Sequence, residues 1–320
     1  LVGPDRGEVR AGPGPLCSEA GVRARLRGAG LRPARRRGQN FLCSQAVLRD
    51  TLAAAELRPT DAVLEIGAGL GTLTAAMAPL VCSVTAIEVD RGLCRLLREE
   101  TAGFPNVTVA CGDVTAMDPR ELLPGAPAAG GPCASPRPFK VITNLPYYLT
   151  TPLLQRMLGE WQGMSMAVVM LQEEVARRLA AGPGEADYGS LSVFAGYHAE
   201  CRIVRTVPSS AFWPRPGVSS ALVRIVRRPR PPVEADPDVL FAVVRSAFGL
   251  RRKQIRNALA GPPLELAKQA AEEALSAAGI SGTRRGETMS LAEFAALARF
   301  LSKNGARRAT APRDRGDSPP

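Results

Sequence analysis

From residue 62 onward, apolar and polar positions alternate between two periods. The run 62–66 (Ala-Val-Leu-Glu-Ile) predicts a strand buried on both faces, followed by a glycine-rich turn and a helix over 73–80. The pairing recurs as a strand over 83–88 and a helix over 91–100. Further strands are predicted at 107–110, 139–143, 166–171, 202–207 and 220–226, with a helix over 172–179. Strands separated by helices imply a parallel sheet with helices on both faces. Ahead of the sheet, 17–28 reads as a short basic helix ending at Gly28, and 32–39 as a basic arm. Leu42, Val47, Leu48, Leu52 and Ala55 predict an amphipathic helix over 41–57, stopping before Pro59. The stretch 227–237 holds Pro229, Pro231, Pro232 and Pro237 and marks a boundary. Beyond it the pattern is helical only, at 239–248, 251–259, 264–278 and 290–301. Ser290 and Glu293 form a capping box at the start of the last helix. Residues 1–15, the Pro/Ala/Gly-rich stretch 124–138 and the tail after Asn304 predict irregular or disordered chain.

Composition adds exclusions. Of 320 residues, 45% are apolar, enough for a real core, yet no apolar run reaches the roughly 18 residues needed to span a bilayer. The start mixes Asp5, Glu8 and Glu19 with Gly and Pro, which does not read as a secretory signal. The seven cysteines form no C-x-x-C pair and the single histidine is His198, so no zinc site or other metal is expected. Reduced thiols in a cytoplasmic protein are the expectation. The net charge of +11 is unevenly placed: residues 1–40 carry +6 and residues 201–260 carry +9, leaving the remainder acidic. Two basic segments around a mildly acidic middle point to a polyanionic partner.

The turn after the first strand reads Glu65-Ile-Gly67-Ala-Gly69-Leu-Gly71-Thr72. Thr72 stands where a dinucleotide fingerprint requires its third glycine, which disfavours a nicotinamide oxidoreductase. Glu88 ends the second strand, where a carboxylate can accept both ribose hydroxyls of an adenosine. Asp113 follows the third strand and can accept from an adenine amino group. Each alone has an ordinary structural explanation: a tight turn, a solvated strand end, a helix cap. Three at successive strand ends describe a pocket for an adenosine without phosphates, which S-adenosylmethionine fits.

The fourth strand runs into Asn144-Leu145-Pro146-Tyr147-Tyr148. An exocyclic amine is a poor nucleophile because its lone pair is delocalised into the ring. Acceptors for its N–H bonds favour a pyramidal nitrogen, and the Asn144 side-chain oxygen and the Leu145 carbonyl can serve. Pro146 stiffens the turn, and Tyr147 offers a face for an unstacked base. No strong general base is required, because the methylated nitrogen becomes acidic and can lose its proton to water. Positioning and charge stabilisation would then carry catalysis. A lone N-x-P-Y is more often a strand exit with aromatic packing; its place downstream of the cofactor residues reverses that.

At this point the chain resembles the ribosomal RNA adenine dimethyltransferases, specifically the bacterial small-subunit enzymes. The resemblance runs from about Arg36 to Leu301 and includes Gly38-Gln-Asn-Phe-Leu42, Glu65-Ile-Gly-Ala-Gly69, Asn144-Leu-Pro-Tyr147, Met170-Leu-Gln-Glu-Glu174, Tyr188-Gly-Ser-Leu191, 208–212, 248–257 and Arg284-Arg-Gly-Glu287. It implies N6 dimethylation of two adjacent adenosines near the 3′ end of small-subunit ribosomal RNA, within an immature small subunit. It also implies a Rossmann-like class I methyltransferase sheet of seven strands, the last antiparallel, with a small all-helical C-terminal domain. The corresponding organisation is a partly disordered basic extension (1–35), an S-adenosylmethionine-binding catalytic domain (36–230), a helical RNA-binding domain (231–303) and a tail (304–320), in a monomer.

Residue by residue, the resemblance implies that Gln39, Asn40 and Leu42 close over the cofactor, with Gly67, Gly69, Glu88 and Asp113 lining its pocket. Asn144 would touch both cofactor and amine, and Phe212, by itself an ordinary core residue, would be a second aromatic wall beside Tyr147. Arg35, Arg36, Arg37, Arg251, Arg252, Lys253 and Arg256 would grip phosphates, which positions the enzyme without reading sequence. Cys43-Ser44, where a polar pair commonly sits, and the loop 124–138 are the departures. Two rivals remain: a large-subunit adenine methyltransferase, which typically has Ile where Leu145 stands, and a non-catalytic RNA-binding or assembly factor on the same fold.

Overall fold

The computed structural model describes residues 16–34, 38–123, 138–144 and 149–304. Residues 124–137 of the predicted loop 124–138, Arg35 to Arg37, and Leu145, Pro146, Tyr147 and Tyr148 therefore lie outside the described residues, as do both chain ends.

In chain order the first half contains α1 (Glu19–Gly28), β1 (Phe41–Leu42), α2 (Gln45–Ala55), β2 (Ala62–Ile66), α3 (Thr72–Met77) and β3 (Ser83–Glu88). It continues through α4 (Arg91–Thr101), β4 (Val107–Cys111), α5 (Pro119–Leu122), β5 (Phe139–Asn144), α6 (Thr150–Gly159) and β6 (Met164–Gln172). Then come α7 (Glu173–Ala180), α8 (Ser190–His198), β7 (Ala199–Val207), β8 (Phe212–Trp213) and β9 (Ser220–Arg227). The last elements are α9 (Pro237–Gly249), α10 (Ile255–Ala258), α11 (Lys268–Ala277) and α12 (Leu291–Lys303).

Seven strands form one sheet in the order β4-β3-β2-β5-β6-β9-β7. β2 pairs in parallel with β3 and β5, β3 with β4, and β5 with β6, while β9 runs antiparallel to β6. The expected seven-stranded sheet with an antiparallel last strand is thus present. The apolar runs suit it: in β2 every residue after Ala62 is buried, because helices cover both faces. The chain steps outward from β2 through β3 to β4, then returns to β5 on the other side of β2. Loops leaving β2 and β5 diverge there, so a crevice opens at the carboxyl edge.

Lys140 of β5 ties α2 to this sheet. Its ammonium donates to the carbonyls of Ala55 (2.9 Å) and Glu56 (2.6 Å) and pairs with Asp61 at 2.8 Å, with the residue only 9% exposed. Three acceptors satisfy three donors, which makes a buried ammonium tolerable.

The fold divides into two compact units. Among the described residues, those up to Ala176 together with Arg202–Arg227 form the sheet unit, and Arg177–Cys201 with the residues from Arg228 form the other. The second unit is helical. Tyr188, Val193 and Tyr197 share its core with Leu240, Val243, Phe294 and Leu297, and the Tyr188 hydroxyl donates to the Met289 carbonyl at 2.9 Å. These apolar residues draw 177–201 into the helical unit, so its composition differs from the expected 230/231 division.

Four local expectations change. The helix expected from Phe41 begins only at Gln45, because Phe41 and Leu42 pair with Trp213 and Phe212 in a two-stranded ladder and Ser44 caps α2. The helix expected over 251–259 shrinks to α10: Arg251 to Lys253 form a turn, and the amides of Ile255 and Arg256 bond to the Arg284 and Gly282 carbonyls. α6 and α8 were not anticipated. The expectation of free thiols fails at Cys94 and Cys111, which are bonded across α4 and β4 with Cα atoms 6.1 Å apart; Cys82 is disulfide-bonded as well. The βαβ crossover lays α4 along β4 and brings that pair within bridging range, with no sequence motif to announce it.

Among the described residues no helix is long and apolar enough to cross a membrane, and no three-residue cluster of metal-ligating side chains occurs.

Candidate active site

The parallel registers align the strand ends. Ile66 stands beside Ile87 and Thr143, Glu88 beside Cys111, and Asn144 beside Met170. The residues following β2, β3, β4 and β5 therefore meet on one edge. A cavity there is lined by 38–42, 65–70, 87–89 and 112–114, and by Thr72, Asn144, Leu149 and Phe212. It gathers Gln39, Asn40, Leu42, Gly67, Gly69, Glu88, Asp113, Asn144 and Phe212, all the described residues singled out for cofactor, amine or base.

The glycine turn is shaped for close approach. Gly69 has φ 60°, a conformation that disfavours a side chain, and a Cβ there would stand 3.4 Å from the Phe41 ring. At Gly71, with φ 85°, a Cβ would meet Leu97 at 2.9 Å. The amides of Gly67 and Ala68 donate to the Ile87 carbonyl (2.9 and 3.1 Å), which folds the turn back over β3.

Glu88 is 6% exposed, and its two oxygens accept from the Gly69 and Asp90 amides, each at 2.9 Å. Burial pushes its carboxyl up from the ordinary range, against the pull of those amide bonds. Each carboxylate oxygen has a second lone pair, so two acceptor positions remain for a ligand. Asp113 caps the short turn after β4 by accepting from the Thr115 amide (2.8 Å) and hydroxyl (2.7 Å), both on Oδ1. It is thus a cap and a cavity residue at once.

Asn144 is held by its amide nitrogen: Nδ2 donates to the Asn40 backbone carbonyl at 3.0 Å. That bond directs Oδ1 to be the remaining acceptor. Asn40 Nδ2 in turn donates to the Gly38 carbonyl at 3.0 Å, and Gln39 Oε1 accepts from the Ala34 amide at 2.7 Å. Gln39 thus fastens the chain before β1 and does not itself point a free oxygen outward. Phe212 is 3% exposed, sits opposite Leu42 in the β1–β8 ladder, and belongs to the core as well as to the cavity wall.

Glu65, the first residue of the glycine-turn motif, is a further residue of the cavity. It is 2% exposed, lines the cavity, and accepts from the Thr74 hydroxyl. Burial, opposed by the Thr74 bond and reinforced by nearby Glu88, raises its carboxyl to about 8. The acidic residue in the middle of an apolar strand was the available signal. His198 lies in the helical unit against Phe194, Tyr197 and Phe241.

Of the basic residues, Arg252, Lys253 and Arg256 are exposed on the helical unit. Arg251 is committed within it, pairing with Glu287 at 3.0 Å and donating to the Ala186 carbonyl. Arg35, Arg36 and Arg37 lie outside the described residues, as do Leu145, Pro146 and Tyr147.

A mostly parallel seven-stranded sheet with an antiparallel last strand, and a cavity at the carboxyl ends of its first strands, defines the class I methyltransferase fold. Solved structures agree. A dimethyladenosine transferase from Plasmodium falciparum superposes with a TM-score of 0.69 at 22% identity, covering 82% of this chain and 98% of that one. The 23S rRNA methyltransferase ErmE superposes with a TM-score of 0.62 at 28% identity, covering 82% and 100%. The family described as ribosomal RNA adenine dimethylase matches residues 32–303, and this chain belongs to it. The Ribosomal RNA small subunit methyltransferase A of Pelotomaculum thermopropionicum is 46% identical over 292 residues, 91% of this chain and 99% of the relative. Its counterpart in Anaeromyxobacter dehalogenans is 44% identical over 274 residues, 85% and 94% respectively.

Proposed function

We propose that this chain uses S-adenosylmethionine to dimethylate N6 of two adjacent adenosines near the 3′ end of small-subunit ribosomal RNA, acting in the cytoplasm on an immature small subunit. The cavity residues fit the cofactor. Glu88 offers acceptors for ribose hydroxyls, Asp113 an acceptor for the adenine amine, and the glycine turn a surface without side chains. When bound, the cofactor supplies an electrophilic sulfonium methyl group.

The observation that carries the reading is the hydrogen bond from Asn144 Nδ2 to the Asn40 carbonyl. With its donor engaged, Asn144 presents Oδ1 to an amine N–H. Accepting that bond, together with the Leu145 carbonyl, would fix the orientation of the amine and its lone pair for transfer. The nitrogen lone pair would form the N–C bond as the S–C bond breaks with its electron pair staying on sulfur, and the nitrogen would then release a proton to water. Tyr147 and Phe212 hold the unstacked base between them. Gly67 and Gly69 with Asn40 and Leu42 enclose the cofactor, while Gln39 anchors that lid. Arg252, Lys253 and Arg256, with Arg35 to Arg37 and with Arg251 bracing the turn, meet phosphates.

The test offers methyl-labelled S-adenosylmethionine with immature small subunits, large subunits and free small-subunit RNA. Label at N6 of neighbouring small-subunit adenosines is expected. Label confined to large-subunit RNA would overturn the substrate, and none in any arm would favour a non-catalytic factor.

A further inference from the structure

Arg156 belongs to none of the motifs above. It lies on α6, which begins six residues after Asn144, and its guanidinium is turned onto the backbone that follows β4. Nη1 donates to the carbonyls of Val114 (3.2 Å) and Thr115, Nη2 donates to that of Met117 (3.4 Å), and Nε pairs with Glu160 at 3.1 Å. Those carbonyls terminate the turn Val114–Ala116, whose opposite end is capped by Asp113 Oδ1. The turn is therefore gripped at both ends, with a carboxylate on its amides and a guanidinium on its carbonyls. Gly112 completes the fit: a Cβ there would overlap Met117 Cε at 2.2 Å, so the segment is folded tightly on itself. Asp113 and Val114 line the cavity, and so does Leu149 at the start of α6.

We propose that Arg156 is a positioning residue for the cofactor: by holding the carbonyls of 114, 115 and 117 it sets Asp113 and Val114 against the adenine end of the cavity. The inference rests on the reading that this cavity holds S-adenosylmethionine. Arg156 touches no ligand itself and acts through the turn. A lysine has one point of charge and cannot span three carbonyls in a plane, so the planar fork matters.

Arg156→Met, Arg156→Lys, Asp113→Ala and the Arg156→Met/Asp113→Ala pair test this, with the Kd for S-adenosylhomocysteine by calorimetry, steady-state kinetics and melting temperature. Arg156→Met is expected to raise Kd, and KM for S-adenosylmethionine, about tenfold, with kcat at saturating cofactor changed less than about twofold. Arg156→Lys should recover part of the loss. In the Asp113→Ala background, removing Arg156 should add little, because both losses run through one contact. Losses that multiply, a fall in kcat at unchanged KM, or wild-type affinity in a folded Arg156→Met protein would overturn the proposal. Failure of the unsubstituted protein to bind S-adenosylhomocysteine would instead refute the cofactor reading.

Discussion

Replacing Glu88 by glutamine changes one charge and almost no volume, yet it should leave stability nearly unchanged while weakening cofactor affinity. In the folded protein, Oε1 accepts from the Asp90 amide and Oε2 from the Gly69 amide, each at 2.9 Å. A glutamine side chain can accept only one of these and turns an N–H toward the other, losing a charge-assisted bond of about 1.5–3 kcal/mol. Burial, however, already pushes the Glu88 carboxyl above its usual range, so removing the charge also removes a desolvation penalty that offsets this loss. The net change in unfolding free energy should stay within about 1 kcal/mol. Affinity has no such compensation. Loss of one charged acceptor for a ribose hydroxyl removes about 1.5–3 kcal/mol, which weakens binding by roughly 10- to 150-fold. Calorimetry with S-adenosylhomocysteine reads the affinity and thermal melting reads the stability. A Glu88→Gln protein that melts normally and binds within about threefold of the parent would refute the role given to this carboxylate.

Lys140→Met should destabilise the sheet unit by about 2–4 kcal/mol, because Asp61 and two α2 carbonyls lose a buried partner; a urea midpoint shift worth under about 0.5 kcal/mol would contradict this. Glu293 is held down to about 2, first by its bond to Arg284 and then by Ser290. A depressed acid contributes stability above its unfolded pKa of roughly 4.3, lost as pH falls through the folded value. Melting of the helical unit should therefore fall between about pH 4.5 and 2, and Glu293→Gln should flatten that slope; both partners are about one-third exposed, so screening limits the contribution to about 1 kcal/mol.

The regular part of this fold is legible because it repeats. Continuous apolar runs such as 62–66 mark strands covered on both faces, and the Ser290–Glu293 box announces α12, where both reciprocal bonds form. What stays hidden depends on partners distant in sequence. β1 is two residues long and has no period of its own; it exists because Phe41 and Leu42 meet Trp213 and Phe212. The turn at 251–253 replaces a predicted helix because the 282 and 284 carbonyls capture the amides that follow it. In the site, Glu88, Asp113 and Asn144 could be placed because strand ends converge in a parallel sheet. Arg156 could not, since a lone arginine on an amphipathic helix looks like a solvated face until the backbone it grips is known. Glu65 was visible in its motif, but only its burial reveals why its carboxyl is raised.

In the proposed reaction, Asn144 is the acceptor for the amine, whereas the main polar contacts for the cofactor come from Glu88, Asp113 and the glycine turn. Asn144→Ala, assayed for S-adenosylhomocysteine affinity and for methyl transfer to immature small subunits, tests both halves. Affinity is expected within a few-fold of the parent and transfer reduced by roughly a hundredfold or more, the scale of removing one preorganised partner from a transition state. Transfer at the parent rate, or a loss fully explained by weaker cofactor binding, would contradict it.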